Sequence, residues 1–146
     1  MPNKVENDGD FSCLADLGGI FQMLGGVIIL ASQLNNIIAY LSILQQLSSV
    51  PPSELPGIEF YLFITRIVIG VAILIGSMLL IAGVISIWRS GPLGGFLAII
   101  FASPSFVVLG LTYYVAPVLA IIGGILSIAP SIRRPKQKTK RPHKTK

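Results

Sequence analysis

The chain has 146 residues, of which 53% are hydrophobic and 12% are charged. A soluble domain of this length has too little interior to hide such an apolar share, so the composition excludes an ordinary soluble fold and indicates a polytopic membrane protein. Eight of the eleven Lys and Arg residues lie after residue 132, which leaves the middle of the chain almost without charge. A single cysteine, Cys13, excludes a disulfide within the chain.

Residues 1–12 form a polar segment that predicts a turn and a short cytosolic lead-in. Lys4 is followed by acidic residues, whereas a signal peptide has positive charge before a short apolar core. We therefore expect the first helix to act as its own uncleaved insertion signal. The cluster at Asn7–Asp10 lacks the ligand spacing of a calcium loop, so no metal site is predicted there.

The first apolar segment, about residues 17–44, is rich in amides for a membrane span. On a helix, its polar residues and glycines share one face at steps of three and four. That face contains Gln22, Gly25, Gly26, Ile29, Gln33, Asn36 and Tyr40. Amides that face lipid are costly, so we expect this face to form interhelical hydrogen bonds inside a bundle. The alternative, a lining for a substrate or ion path, is less favoured because no carboxylate within the span accompanies the amides.

A loop is predicted at 45–57, where three prolines and a glycine interrupt the helical pattern. The second span follows at about residues 60–88. Its uncharged part, Ile67–Trp88, has 22 residues and covers about 33 Å as a helix, the thickness of a bilayer core. Small residues recur along it, as they do where helices approach closely in lipid, and Trp88 has the character of an interfacial anchor.

Arg66 is the residue that this pattern places least comfortably, because an ionisable group within a span is a functional hypothesis by default. It lies six residues after Phe60, near the outer end of the span. The favoured interpretation is that its long side chain extends outward to lipid headgroups, with Glu59 on the same face. The alternative is a polar site inside the membrane.

A 38-residue run without charge, Leu93–Pro130, is long enough for two short helices and a turn. The turn falls either at 103–105, where Pro104 would begin a helix, or at 112–116, beside a pair of tyrosines. The second position is favoured because the first leaves a segment too short to span. It gives spans at about 93–112 and 115–131.

Both halves of this run carry a small residue at every fourth position, and each row makes a flat helix face. The rows are Gly94, Ala98 and Ala102 in one half and Ala116, Ala120 and Gly124 in the other. We expect the third and fourth helices to pack against each other along them.

Residues 132–146 form a basic tail that cannot build a core, and we expect it to be disordered. Its basic side chains are candidates for contact with anionic lipid headgroups or with an acidic partner protein. These candidates are Arg133, Arg134, Lys136, Lys138, Lys140 and Arg141. Nucleic acid is disfavoured as a partner because no aromatic residues are interleaved. Lys and Arg are enriched on the inner side of membranes, so the tail and, with four spans, the N-terminus are expected in the cytoplasm at the cell membrane.

The sequence offers little chemistry. His143 is the only histidine and lies in the tail, which excludes a histidine metal cluster and a histidine-based triad. No phosphate-binding loop is present, so we expect neither an enzyme nor a cofactor. The residues predicted for an intramembrane polar site are Arg66, Gln22, Gln33, Asn36 and Tyr40.

The fold prediction is an all-α integral membrane protein, a four-helix transmembrane bundle with a disordered basic C-terminal tail. The predicted function is structural or accessory, in which the chain packs against itself as a homo-oligomer or against a larger membrane complex. The alternative is a small oligomeric transporter or channel whose path is lined by the polar face of the first helix.

Overall fold

A computed structural model describes residues 7–49, 51–53, 55–88, 90–108 and 114–132. Within these ranges the chain is helical and has no strand, which confirms the prediction of an all-α fold. The helices are α1 (Asn7–Gln46), a short 3-10 turn (Leu47–Ser49), α2 (Leu55–Trp88), α3 (Gly91–Val108) and α4 (Val115–Ile132).

Three of these helices are long and apolar enough to cross a membrane: α1 from Cys13 onward, α2 and α4. The third helix in chain order, α3, is a shorter apolar helix over 91–107 by the same measure. In length and composition these helices are compatible with a membrane protein.

The four helices form a ring in which each packs on its neighbours. The second and fourth helices, α2 and α4, flank α1, and the same two helices flank α3, so that α1 and α3 sit diagonally with little contact. Buried alanines with Ile29, Ile75 and Leu79 form the core between them. Short connections between consecutive neighbours produce this ring naturally.

Glycines set the distance between α1 and α2. A side-chain carbon added at Gly26 would lie 2.7 Å from the carbonyl oxygen of Gly76, and one added at Gly19 would lie 2.8 Å from that of Gly83. Backbones this close are typical of helices that associate in lipid. The later glycine of α1 lies against the earlier glycine of α2, so the two helices run antiparallel. The glycines of each helix stand seven residues apart, so both contacts share one register.

The first two helices begin earlier in the chain than the sequence predicts. Helix α1 begins at Asn7, so the turn predicted for 1–12 is wrong for the residues described; Asn and acidic residues are types that helix starts favour. Helix α2 begins at Leu55, inside the predicted loop. Pro56 is its second residue, and a proline in the first turn costs no helical hydrogen bond.

The connection between α3 and α4 lies after Val108, and Tyr114 immediately precedes α4. Pro104 is inside α3, so the chain does not turn at 103–105. The last residues of the predicted span 93–112 lie outside the described residues, as do Arg89 and the tail from residue 133.

The rows of small residues pack differently from the prediction. Gly124 does lie against α3, where a carbon added to it would be 2.8 Å from the carbonyl oxygen of Gly95. Gly94, however, lies against Ser86 of α2, and the two alanines of the α4 row lie against Gly25 of α1. A helix in a ring has two neighbours, so its small residues divide between two contacts.

The helices differ greatly in length, which divides the molecule into two regions. At 18 residues each, α3 and α4 are about 27 Å long, whereas α1 and α2, with 40 and 34 residues, measure about 60 and 51 Å. Gly94 lies against Ala82 and Ser86 of α2, and Val108 is 14 residues farther along α3. Counting 14 residues back along α2 from that contact puts the end of α3 at about the height of Gly70. We call the region with four helices the four-helix core, and residues 33–46 with 55–69 the projecting hairpin.

Candidate functional site

Gln22 lies at the centre of the four-helix core and links three helices. Its side chain is 0% exposed. The Nε2 atom donates a hydrogen bond of 3.0 Å to Oγ of Ser127 in α4, and Oε1 accepts one of 3.1 Å from Oγ of Ser86 in α2. The interhelical hydrogen bonding predicted for this face is therefore present at Gln22.

Neighbouring glycines make this contact short enough. A carbon added at Gly18 would lie 2.5 Å from the carbonyl oxygen of Gly123 and 2.8 Å from the backbone nitrogen of Ser127. Ser127 also donates a hydrogen bond of 2.9 Å from its Oγ to the Gly123 oxygen. Because Gly18 and Gly123 have no side chains, α4 packs close enough to α1 for the Gln22 amide to reach Ser127.

Both polar atoms of the Gln22 amide have a hydrogen-bond partner in another helix. In the described part of the chain, no buried side-chain nitrogen or oxygen lacks a hydrogen-bond partner. A buried polar group in lipid is stable when it is paired in this way. The arrangement fastens helices together.

Gln33 and Asn36 behave differently, because their hydrogen bonds stay within α1. Gln33 is 1% exposed; its Nε2 donates to Oγ of Ser32 at 3.1 Å, and its Oε1 accepts from Nδ2 of Asn36 at 3.1 Å. The expectation of interhelical bonds is wrong for this pair. Both residues lie beyond the level of Gly25, the position of α1 that contacts Ala116 near the start of α4.

The register between α1 and α2 explains where the polar residues fall. Gly19 and Gly26 of α1 lie against α2, and the same seven-residue step along α1 continues to Gln33 and Tyr40. The matching residues of α2 are Gly83, Gly76, Ile69 and Leu62, all of them buried. The two glycine levels belong to the four-helix core, and the two levels with large side chains belong to the projecting hairpin.

At the first level without glycine, a groove opens between α1 and α2. It has a volume of about 400 Å³ and is lined by apolar side chains, with Gln33 as its polar member. The lining comes from Val27, Leu30, Ala31, Leu34 and Ile37 of α1 and from Ile73 of α2. Gln33 stands seven residues after Gly26, so a glutamine side chain occupies the next position of the glycine series at this groove.

Arg66 is exposed on the projecting hairpin. It continues a series along one side of α2 in which Ile87 lies against Gly19, Leu80 lies against Gly26, and Ile73 lines the groove with Gln33. The next position of this series, seven residues nearer the start of α2, is Arg66.

The structure does not bring the five predicted site residues together. Gln22 and Tyr40 are 18 residues apart on one helix, about 27 Å. Gln33 and Asn36 are bonded to each other, and Arg66 lies on α2.

Sequence reasoning missed Ser86 and Ser127 as partners of Gln22. Ser86 is one of the small residues that recur along the second span, and a serine spaced with alanine and glycine on a buried face is also a hydrogen-bond donor.

Metal ligands and the basic tail are the remaining features to place. Among the described residues there is no group of three or more His, Cys, Asp or Glu side chains that could hold a metal ion. Cys13 is exposed. The tail candidates, from Arg133 to Arg141, lie outside the described residues.

No known protein family, curated protein or solved structure matches this chain.

Proposed function

We propose that the chain is a small multi-pass membrane protein of structural or accessory type, which packs against itself or a larger membrane complex. The observation that carries this proposal is the closed core, in which Gln22 joins α1, α2 and α4 through two serines. An amide paired at both ends stabilises an assembly of helices and leaves no polar lining for a path. The proposed role is not that of an enzyme, because the sequence offers none of the usual acid–base or nucleophile constellations.

Four spans are part of the proposal. The outer face of α3 carries large apolar side chains that are exposed: Leu93, Phe96, Ile100 and Val107. Water would disfavour such a surface, whereas lipid covers it at no cost. Since α3 has the same length as α4, which does qualify as a span, both fit one hydrocarbon layer, and both termini then lie on the side of the basic tail, in the cytoplasm.

This placement also accounts for Arg66. If α3 crosses the membrane and ends at about the height of Gly70, Arg66 lies one helical turn beyond, about 6 Å, at the level of the headgroups. An arginine there needs no counter-ion within the span.

The transport alternative rests on Gln33 and Asn36, the polar pair beside the groove. One copy of the chain encloses no path with them, because their amides are hydrogen-bonded to each other within α1. Transport would need several copies around a common axis.

Flux and assembly measurements on the same preparation test the function. Liposomes with the full chain are expected to pass ions and small solutes no faster than empty liposomes. The gently purified chain is expected to migrate as an assembly larger than its 15.6 kDa. Solute flux that is lost in Asn36→Leu and kept in Asn35→Leu would overturn the structural role; a monomer without partners would do so as well.

Cysteine labelling tests the topology, with Cys13→Ser as background. Ser53→Cys, between α1 and α2, is expected to react with an impermeant thiol reagent on intact cells. Ser90→Cys, between α2 and α3, is the matched control and is expected to react only after permeabilisation. The reverse pattern, or equal labelling of both, would contradict four spans with cytoplasmic termini.

A further inference from the structure

The groove between α1 and α2 is an apolar recess that the chain itself does not fill. Ala31, the smallest side chain of its lining, lies between Val27 and Leu34 on the α1 side, and Ile73 forms the α2 side. A helix with side chains has a diameter of about 10–12 Å, so a partner helix would rest on this recess and could not enter it. A single extended hydrocarbon chain can.

The depth of the groove narrows the choice of occupant. Ile73 stands about one turn inside the level of Gly70, where α3 ends, so the groove lies in the outer part of the hydrocarbon layer. The apolar molecule at that depth is the acyl chain of a lipid in the outer leaflet.

Charged residues continue the groove outward along the same side of α2. Arg66 is seven residues beyond Ile73, and Glu59 is seven residues beyond Arg66, which corresponds to steps of about 10 Å. Both are exposed. Their order, cation nearer the hydrocarbon and anion farther out, is complementary to a zwitterionic headgroup, in which the phosphate lies deeper than the ammonium.

We propose that the groove and these two charges form a binding site for one zwitterionic phospholipid. An acyl chain occupies the recess at Ala31 and Ile73, the phosphate pairs with the Arg66 guanidinium, and the ammonium group lies toward Glu59. An arginine suits the phosphate because its planar donors bind phosphate oxygens in pairs. The carboxylate of Glu59 disfavours an anionic headgroup, so the site selects by charge as well as by shape.

Native mass spectrometry of the full chain, titrated with phosphatidylethanolamine, tests the site. The unaltered protein is expected to retain one lipid, and Arg66→Gln is expected to lower retention about tenfold, with partial recovery in Arg66→Lys. Retention that is equal in Arg66→Gln would overturn the proposal. Circular dichroism of each variant checks that the helices form, and recovery in Arg66→Lys separates lost binding from lost folding.

The groove is tested separately by filling it. Ala31→Phe places an aromatic ring in the recess and is expected to abolish retention. Ala39→Phe adds the same ring at an exposed position of α1 outside the lining and is expected to leave retention unchanged. Equal loss in both variants would contradict the groove as the site.

A third arm addresses the headgroup. Phosphatidylglycerol, which is anionic, is expected to be retained less than phosphatidylethanolamine, and Glu59→Gln is expected to reduce that preference. Equal or better retention of phosphatidylglycerol by the unaltered chain would overturn the zwitterionic assignment.

Discussion

The four-helix core and the projecting hairpin place the same side chain, a buried glutamine, in opposite roles. In the core, Gln22 bonds across to serines of two other helices. In the hairpin, Gln33 bonds only to its own helix. Glycines bring three helices together around Gln22. In the hairpin, Gln33 itself occupies the next position of the seven-residue series that begins with Gly19 and Gly26. The size of the neighbouring side chains, more than the amide, therefore decides whether a glutamine bonds to another helix or only to residues of its own helix.

The largest expected effect comes from a side chain added to the core. Gly26→Leu would push against the Gly76 backbone, and we expect it to lower the free energy of unfolding by about 3 kcal/mol through overpacking. Gly70→Leu is the matched control, because a carbon added at Gly70 meets no atom within 4 Å. Its free energy of unfolding should change by less than about 0.5 kcal/mol.

Unfolding of both glycine variants in mixed micelles, followed by circular dichroism, measures this difference. Similar losses for the two would show that the close backbone contact at Gly26 does not account for the loss of stability.

The next largest effect separates the two glutamines. Gln22→Leu removes two interhelical hydrogen bonds and leaves two serines to re-pair, so we expect a loss of about 1–2 kcal/mol in the free energy of unfolding. Gln33→Leu removes bonds within α1 only and should cost less than about 0.5 kcal/mol. The same unfolding measurement applies. A larger loss at Gln33 would reverse the comparison.

A double-mutant cycle resolves the individual bonds around Gln22. Ser86→Ala and Ser127→Ala should each couple to Gln22→Ala by about 0.6 kcal/mol, the average for such bonds in membranes. Ser77→Ala is the control, since its hydroxyl bonds to the Ile73 carbonyl of its own helix. Coupling of equal size at Ser77 would mean that the cycle reports general loosening.

The smallest expected effect is geometric. Gln33→Gly extends the glycine series into the hairpin, so we expect α1 and α2 to approach by about 2 Å, within the known range of interaxial distances. Spin labels at Leu44 and Phe60, both exposed and at similar heights, measure the approach. An unchanged distance would show that the groove does not depend on Gln33.

Much of the fold could be predicted from the sequence because its signals are local. Charge-free length locates α2 and α4, and three- and four-residue steps identify the buried face that runs from Gln22 to Gln33. The start of α2 was misplaced because Pro56 looks like a stop, although proline is tolerated in a first turn.

The partners of individual residues could not be predicted in the same way. Which neighbour Gly94 faces, or which serines reach Gln22, depends on the order of helices around the ring and on their register. These arise from contacts distant in the chain, as between Gln22 and Ser127. Local periodicity defines a face but not the helix opposite it.

The unequal helices give the molecule two hydrophobic lengths. A bilayer matched to α3 and α4, about 27 Å, leaves the exposed Leu41, Leu44, Phe60 and Phe63 of the hairpin outside the hydrocarbon. A thicker bilayer covers those side chains but exceeds the length of α3 and α4. This mismatch costs fractions of a kcal/mol per ångström. If all four helices span the membrane as proposed, the free energy of the protein depends on membrane thickness from both directions.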